Sequence, residues 1–239
     1  MRKLKYILVG CISIALVILI SALPFGISAF MDSANHNKSN SSKMNTIQLN
    51  LNGDITALST FQKLQLVGRG AIAEVDESQA RHTPEQIQQY ISDNLQRYAD
   101  AGLLIGDESS LETGTCVPML YYDANNMEHY CIFWVVELSA RSPNQRIELL
   151  VDDDSGVIYQ IHYLCDAESA TDDVSAYKIK VEHFATCLFD ALDIEYRIEN
   201  CYQADDTTWC LIAVCSDGEQ EVFVELYFYG NGFDCSIKS

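Results

Sequence analysis

Twice along this chain a helical stripe gives way to four short apolar runs separated by turn residues, and that order leaves few folds open. The first stripe opens at Thr83-Pro84-Glu85-Gln86, where an N-cap hydroxyl, a proline at the first helical position and a glutamine placed to reach back predict a capping box. Ile87, Tyr90, Ile91, Leu95 and Tyr98 then recur at spacings of three and four, and Gly102 supplies the stop. A second helix is expected from about Ser175 to Leu192, with Val181, Phe184, Leu188 and Leu192 as its stripe.

Strands are expected after the first helix at 117–122, 130–138, 146–151 and 157–163, and after the second at 194–202, 209–214, 221–228 and 233–237. Between them lie residues that tolerate tight backbone, among them Ser216-Asp217-Gly218 and Gly230-Asn231-Gly232. The chain also echoes itself. Tyr122 to Leu138, YDANNMEHYCIFWVVEL, shares with Tyr202 to Val214, YQADDTTWCLIAV, a Tyr followed by Ala and two Asn or Asp, and then an aromatic-Cys pair opening an apolar run. This reads as an internal duplication, with chance as the alternative in a chain holding 13 Tyr and 9 Cys.

The predicted fold is therefore α+β: an N-terminal transmembrane helix followed by two lobes, each one helix packed on a small antiparallel sheet. The boundaries are 1–31 for the membrane segment, 32–46 for a flexible Asn/Ser/Lys tether, 47–170 for the first lobe and 171–239 for the second. Within the first lobe, Ser59 caps a brief helix, TFQKLQLV, that Gly68-Arg69-Gly70 ends, and residues 47–80 are expected to be an accessory segment on that lobe.

The membrane segment follows from Arg2, Lys3 and Lys5 ahead of an unbroken apolar run from Tyr6 to Leu23. At 1.5 Å per residue that run covers about 27 Å, enough for a thin hydrocarbon core, and its positive flank sends the remainder outward. A cleaved signal peptide is the competing reading, since Ile27-Ser28-Ala29 resembles a cleavage site after Pro24 and Gly26. Both readings place the body of the chain outside the cytoplasm. Beyond residue 30 the chain carries 12 basic against 34 acidic side chains, a formal charge of −22. Such a surface repels phosphate backbones and anionic headgroups, so no nucleic-acid partner and no flat membrane adsorption are expected.

Eight cysteines lie beyond the membrane segment, an even number that in an oxidising compartment predicts disulfides, with 105 connectivities open. Two bridges can be argued from spacing: Cys201 with Cys210 across a turn at 204–207, and Cys116 with Cys131 across the corresponding turn at 123–126. Several buried free thiols are the alternative. No CxxC is present, which leaves a redox dithiol or zinc ribbon without its parts.

Asp152-Asp153-Asp154-Ser155-Gly156 invites a calcium reading, but an EF-hand with Gly156 at its sixth place puts Val151 first and His162 twelfth, where carboxylates are required. A solvated hairpin turn is expected there instead. None of the five histidines falls in HExxH, and GxSxG, GxxxxGK and GxGxxG are absent. His129 shares a strand face with Cys131, yet no third group completes a nucleophilic site. No catalytic, cofactor-binding or metal-ligating residue is predicted. Aromatic residues on strands offer a protein-binding face, set against their commoner fate as core.

The helix from Thr83 to Ala101 followed by IELLVDDDSGVIYQI, Ile147 to Ile161, resembles the PepSY module, an exported helix-plus-sheet unit of bacterial protease propeptides and envelope proteins. The likeness covers about 80 residues, and in the second lobe VELYFYGNGFDCSI, Val224 to Ile237, keeps the Gly but lacks the acidic turn. The resemblance implies binding or inhibition of another exported protein, with no catalytic residues to carry over. The expected function is thus a membrane-tethered, non-enzymatic binding or regulatory module of the bacterial cell envelope, needing no cofactor and partnered by another exported or membrane protein. An envelope hydrolase using acidic residues, or a structural spacer, are the alternatives.

Overall fold

The computed structural model describes residues 58–104, 111–141, 144–166 and 174–238. The predicted membrane segment and tether lie outside these residues. No described helix is long and apolar enough to cross a membrane.

Helix α1, Thr60–Arg69, is started by a capping box between Ser59 and Gln62. Strand β1, Ala71–Glu74, and a single 3₁₀ turn, Glu77–Gln79, lead to α2, Pro84–Asp100, capped as predicted by Thr83 and Gln86. Four strands follow: β2 Glu112–Asp123, β3 Asn126–Arg141, β4 Asn144–Asp152 and β5 Ile158–Cys165. Helix α3, Val174–Leu192, opens the second set: β6 Tyr196–Asp205, β7 Thr208–Ser216, β8 Glu221–Tyr229 and β9 Gly232–Lys238. All eight predicted strands are present. β1 was not expected.

The two-lobe expectation is corrected. The described residues form one compact unit, and their strands make a single nine-stranded antiparallel sheet in the order β1-β2-β3-β4-β5-β9-β8-β7-β6. The two meanders join where their last strands pair, His162 with Asp234, Tyr163 with Phe233 and Leu164 with Gly232. Two separate four-stranded sheets would each expose the edge of a final strand; pairing removes both edges and lets the halves share one core. Tyr98 from α2, Phe184 from α3, Tyr163 and Phe233 meet at this seam, with Phe184 and Phe233 centroids 4.6 Å apart and Tyr163 and Phe233 5.1 Å apart. Gly232 permits the approach, because a Cβ there would lie 2.1 Å from the Tyr163 carbonyl oxygen.

The predicted duplication corresponds to the topology, for each half is a helix followed by a four-stranded meander. The matching segments form the first hairpin of each half, and in both turns an Asp accepts from the backbone N–H two residues on: Asp123 from Asn125 and Asp205 from Thr207, each at 2.8 Å.

Helix α1 is not confined to the first half. It contacts β2, β8 and β9, and the β2–β3 hairpin (Asn126, His129) and the β7–β8 turn (Asp217, Gln220) line one cavity of about 320 Å³ with it. In a flat sheet β3 and β8 would be about 19 Å apart, so the sheet curls around α1. The concave face thus holds α1, and the opposite face carries α2 and α3, which touch through Tyr98 and Phe184.

Candidate functional site

Asp152 closes β4, and its register partner Phe133 places it on the concave face; the next residue, Asp153, must point to the other side. The turn can therefore grip both layers. Asp152 is 1% exposed and receives Lys63 Nζ from α1 on both carboxylate oxygens, each at 2.8 Å, and the Ser155 hydroxyl at 2.5 Å. Asp153, 4% exposed, accepts from Trp134 Nε1 at 2.8 Å, from the Arg81 backbone N–H at 2.6 Å and from the His82 backbone N–H at 3.1 Å. Asp154, half exposed, takes Lys63 at 2.9 Å and Arg81 Nη1 at 3.3 Å.

The turn is also locked to α2. Gly156 has φ +71°, and a Cβ there would sit 2.5 Å from the Tyr90 ring. Asn94 Nδ2 donates to the Gly156 carbonyl at 3.2 Å, and the Tyr90 hydroxyl lies 3.4 Å from His82 Nε2. The expectation of a solvated turn is overturned: two of its three carboxylates are buried hubs. Three consecutive acids read as solvent-facing, and the one available signal was Lys63, a charge set inside the helix beside the apolar Phe61, Leu64 and Leu66, away from Arg69 in its last turn.

Burial by itself would lower the Lys63 pKa, but hydrogen bonds and charge from Asp152 and then Asp154 outweigh it and hold the ammonium above its ordinary value. Lys63 is thus a fixed cation, the opposite of what a Schiff-base or general-base lysine needs. The carboxylates of Asp152 and Asp153 are occupied by donors of their own chain. The arrangement is a clasp between α1, the sheet and the entry to α2, and its chemistry is that of cohesion.

Neither predicted disulfide fits the register. Cys201 stands opposite Leu211 while Cys210 stands opposite Tyr202, so the two thiols point to opposite faces. An irregularity between Gln203 and Asp205 slips the pairing by one residue and defeats the symmetric spacing. Cys116 pairs with Val136 and Cys131 with Tyr121, about 17 Å apart along the strands and far beyond disulfide reach. No disulfide forms among the eight described cysteines. Burial pushes Cys116 and Cys215 up to about 11 and raises Cys131 and Cys235 as well, which keeps the thiolate, the reactive form, scarce.

These shifts share one sign. A pKa raised in the folded state gives stability that is complete below the unfolded value and is lost as pH climbs toward the folded one. The thiols, with an ordinary value of 9.0, respond first, then tyrosines such as the half-buried Tyr229, pushed to about 12, and Lys63. Each pH unit above 9 is expected to cost up to about 1.4 kcal/mol per fully buried thiol. Denaturant midpoints measured from pH 7 to 11 should stay level to about pH 9 and fall beyond it; a level profile to pH 11 contradicts the burial of these groups.

Beside the clasp the concave face opens into a groove of about 370 Å³ lined by Val135, Leu150, Glu148, Gln160, His162 and Asp234. His162 and Asp234 meet at 3.2 Å across the seam, and Arg146 reaches Glu148 at 2.8 Å. His129 lies exposed near the β2–β3 turn, and Cys131 is buried. Among the described residues no group of three or more His, Cys, Asp or Glu is placed to hold a metal ion. No family model, curated protein or solved structure matches the chain.

Proposed function

We propose that this chain is a non-enzymatic binding or regulatory module of the bacterial cell envelope, tethered by its amino-terminal segment, with residues 46–239 on the extracytoplasmic side. Its partner is another exported or membrane protein. The observation that carries this reading is the division of labour between clasp and surface: the buried carboxylates are consumed by Lys63, Ser155, Trp134 and backbone N–H groups, while the groove and the β6 edge stay open. A hydrolase working through paired acids needs carboxylates free to exchange protons with substrate.

Photo-cross-linkers placed at Gln160, on the groove, and at Gln203, on β6, test the reading in whole cells. The expected result is a discrete adduct with an exported or membrane protein, together with a reporter at Ser239 reachable from outside. Adducts only to cytoplasmic proteins, or none, would contradict it.

A further inference from the structure

The two halves present their first strands differently. In the first half the outer edge of β2 is taken by β1, four residues pairing antiparallel from Ala71 with Tyr122 to Glu74 with Met119. In the second half the equivalent strand, β6, ends the sheet among the described residues, ten residues long and exposed along nearly its whole length. Its outward N–H and C=O groups form a template of the kind β2 uses to bind β1. Irregularities between Ile198 and Asn200 and between Gln203 and Asp205 leave Asn200–Gln203 in unbroken register, a stretch as long as β1.

We infer that the free edge of β6 is a docking strand for an extended, basic segment of a partner protein, which adds to the sheet as β1 does on the other side. The inference rests on the binding-module reading and names its surface. Charge selects the occupant. From Asp193 to Asp206 the chain places five carboxylates against one cation, Arg197, which is itself tied to Glu199 and, at 2.9 Å, to Glu221. A second copy would bring like charges together along the whole edge, whereas lysine or arginine side chains would meet carboxylates. Two apolar anchors are on offer, Ile198 just before the register, 50% exposed and opposite Ala213 on the helix face, and Tyr202 within it, 40% exposed and opposite Cys210 on the concave face. Apolar side chains alternating with basic ones in the partner would pack beside one anchor on one face and set the basic side chains on the other.

The test uses the full chain in detergent and three probes: an alternating lysine–valine hexapeptide, its glutamate–valine counterpart, and the lysine peptide N-methylated on alternate amides. The expected result is binding of the lysine peptide alone, with amide shifts concentrated at Asn200–Gln203. E195K/D206K, charge reversals at two exposed positions, should weaken it by about tenfold or more with the fold unchanged by circular dichroism. Lack of binding, equal binding of either control peptide, or a dimer formed through β6 would overturn the inference. Shifts confined to the groove would also overturn it while leaving the binding-module reading intact; that reading fails on the cross-linking result instead.

Discussion

Lys63→Ala is expected to destabilise the fold by about 3–5 kcal/mol, the range for removing one partner of a buried ion pair. The substitution leaves Asp152, 1% exposed, with the Ser155 hydroxyl and N–H but no counter-charge, and it detaches α1 from the turn. The loss combines an uncompensated buried carboxylate with the stem packing of the lysine. Lys63→Met with Asp152→Asn should recover much of that loss, because the pair is then replaced by neutral groups rather than broken. Denaturant unfolding at pH 7 reads both. If Lys63→Ala shifted stability by less than about 1 kcal/mol, the pair would be behaving as a surface salt bridge and the clasp would be misassigned.

Gly232→Ala is expected to cost about 3 kcal/mol or more, a large effect for adding a single methyl group. The methyl would overlap the Tyr163 carbonyl at 2.1 Å, and strand backbone cannot rotate aside as a side chain can. Relief requires β9 to move from β5, which withdraws Phe233 from the rings of Phe184 and Tyr163. The matched control is Gly218→Ala, where no atom lies within 4 Å but φ is +94°; only backbone strain applies there, about 1 kcal/mol. Equal effects at the two sites would deny the close approach at the seam.

The elements were readable in the sequence because their signals are local. The Thr83 capping box, the stripe from Ile87 to Tyr98 and the alternation along β8 each lie within one element, and each was found where predicted. What escaped depends on partners far along the chain. Pairing of β5 with β9 joins residues about 70 apart and leaves no periodic trace, so one sheet was read as two. β1 is only Ala-Ile-Ala-Glu, too short and too alanine-rich to look like a strand. The acidic turn misled because charge was read without its counter-ion, which lies 89 residues earlier on α1. The Cys201–Cys210 pairing failed for a one-residue slip in β6, a shift that reverses which face a side chain occupies, and Cys116–Cys131 for its distance from the turn.

The central claim is that both halves form one cooperative unit, fused through the β5–β9 seam. The chain's two tryptophans, Trp134 in β3 and Trp209 in β7, report one half each. In W209F and W134F, fluorescence of the remaining tryptophan and far-ultraviolet circular dichroism should trace the same guanidinium transition, with one midpoint for each variant. A fluorescence midpoint that departs from the backbone transition in either variant would show the halves unfolding separately and contradict the single sheet.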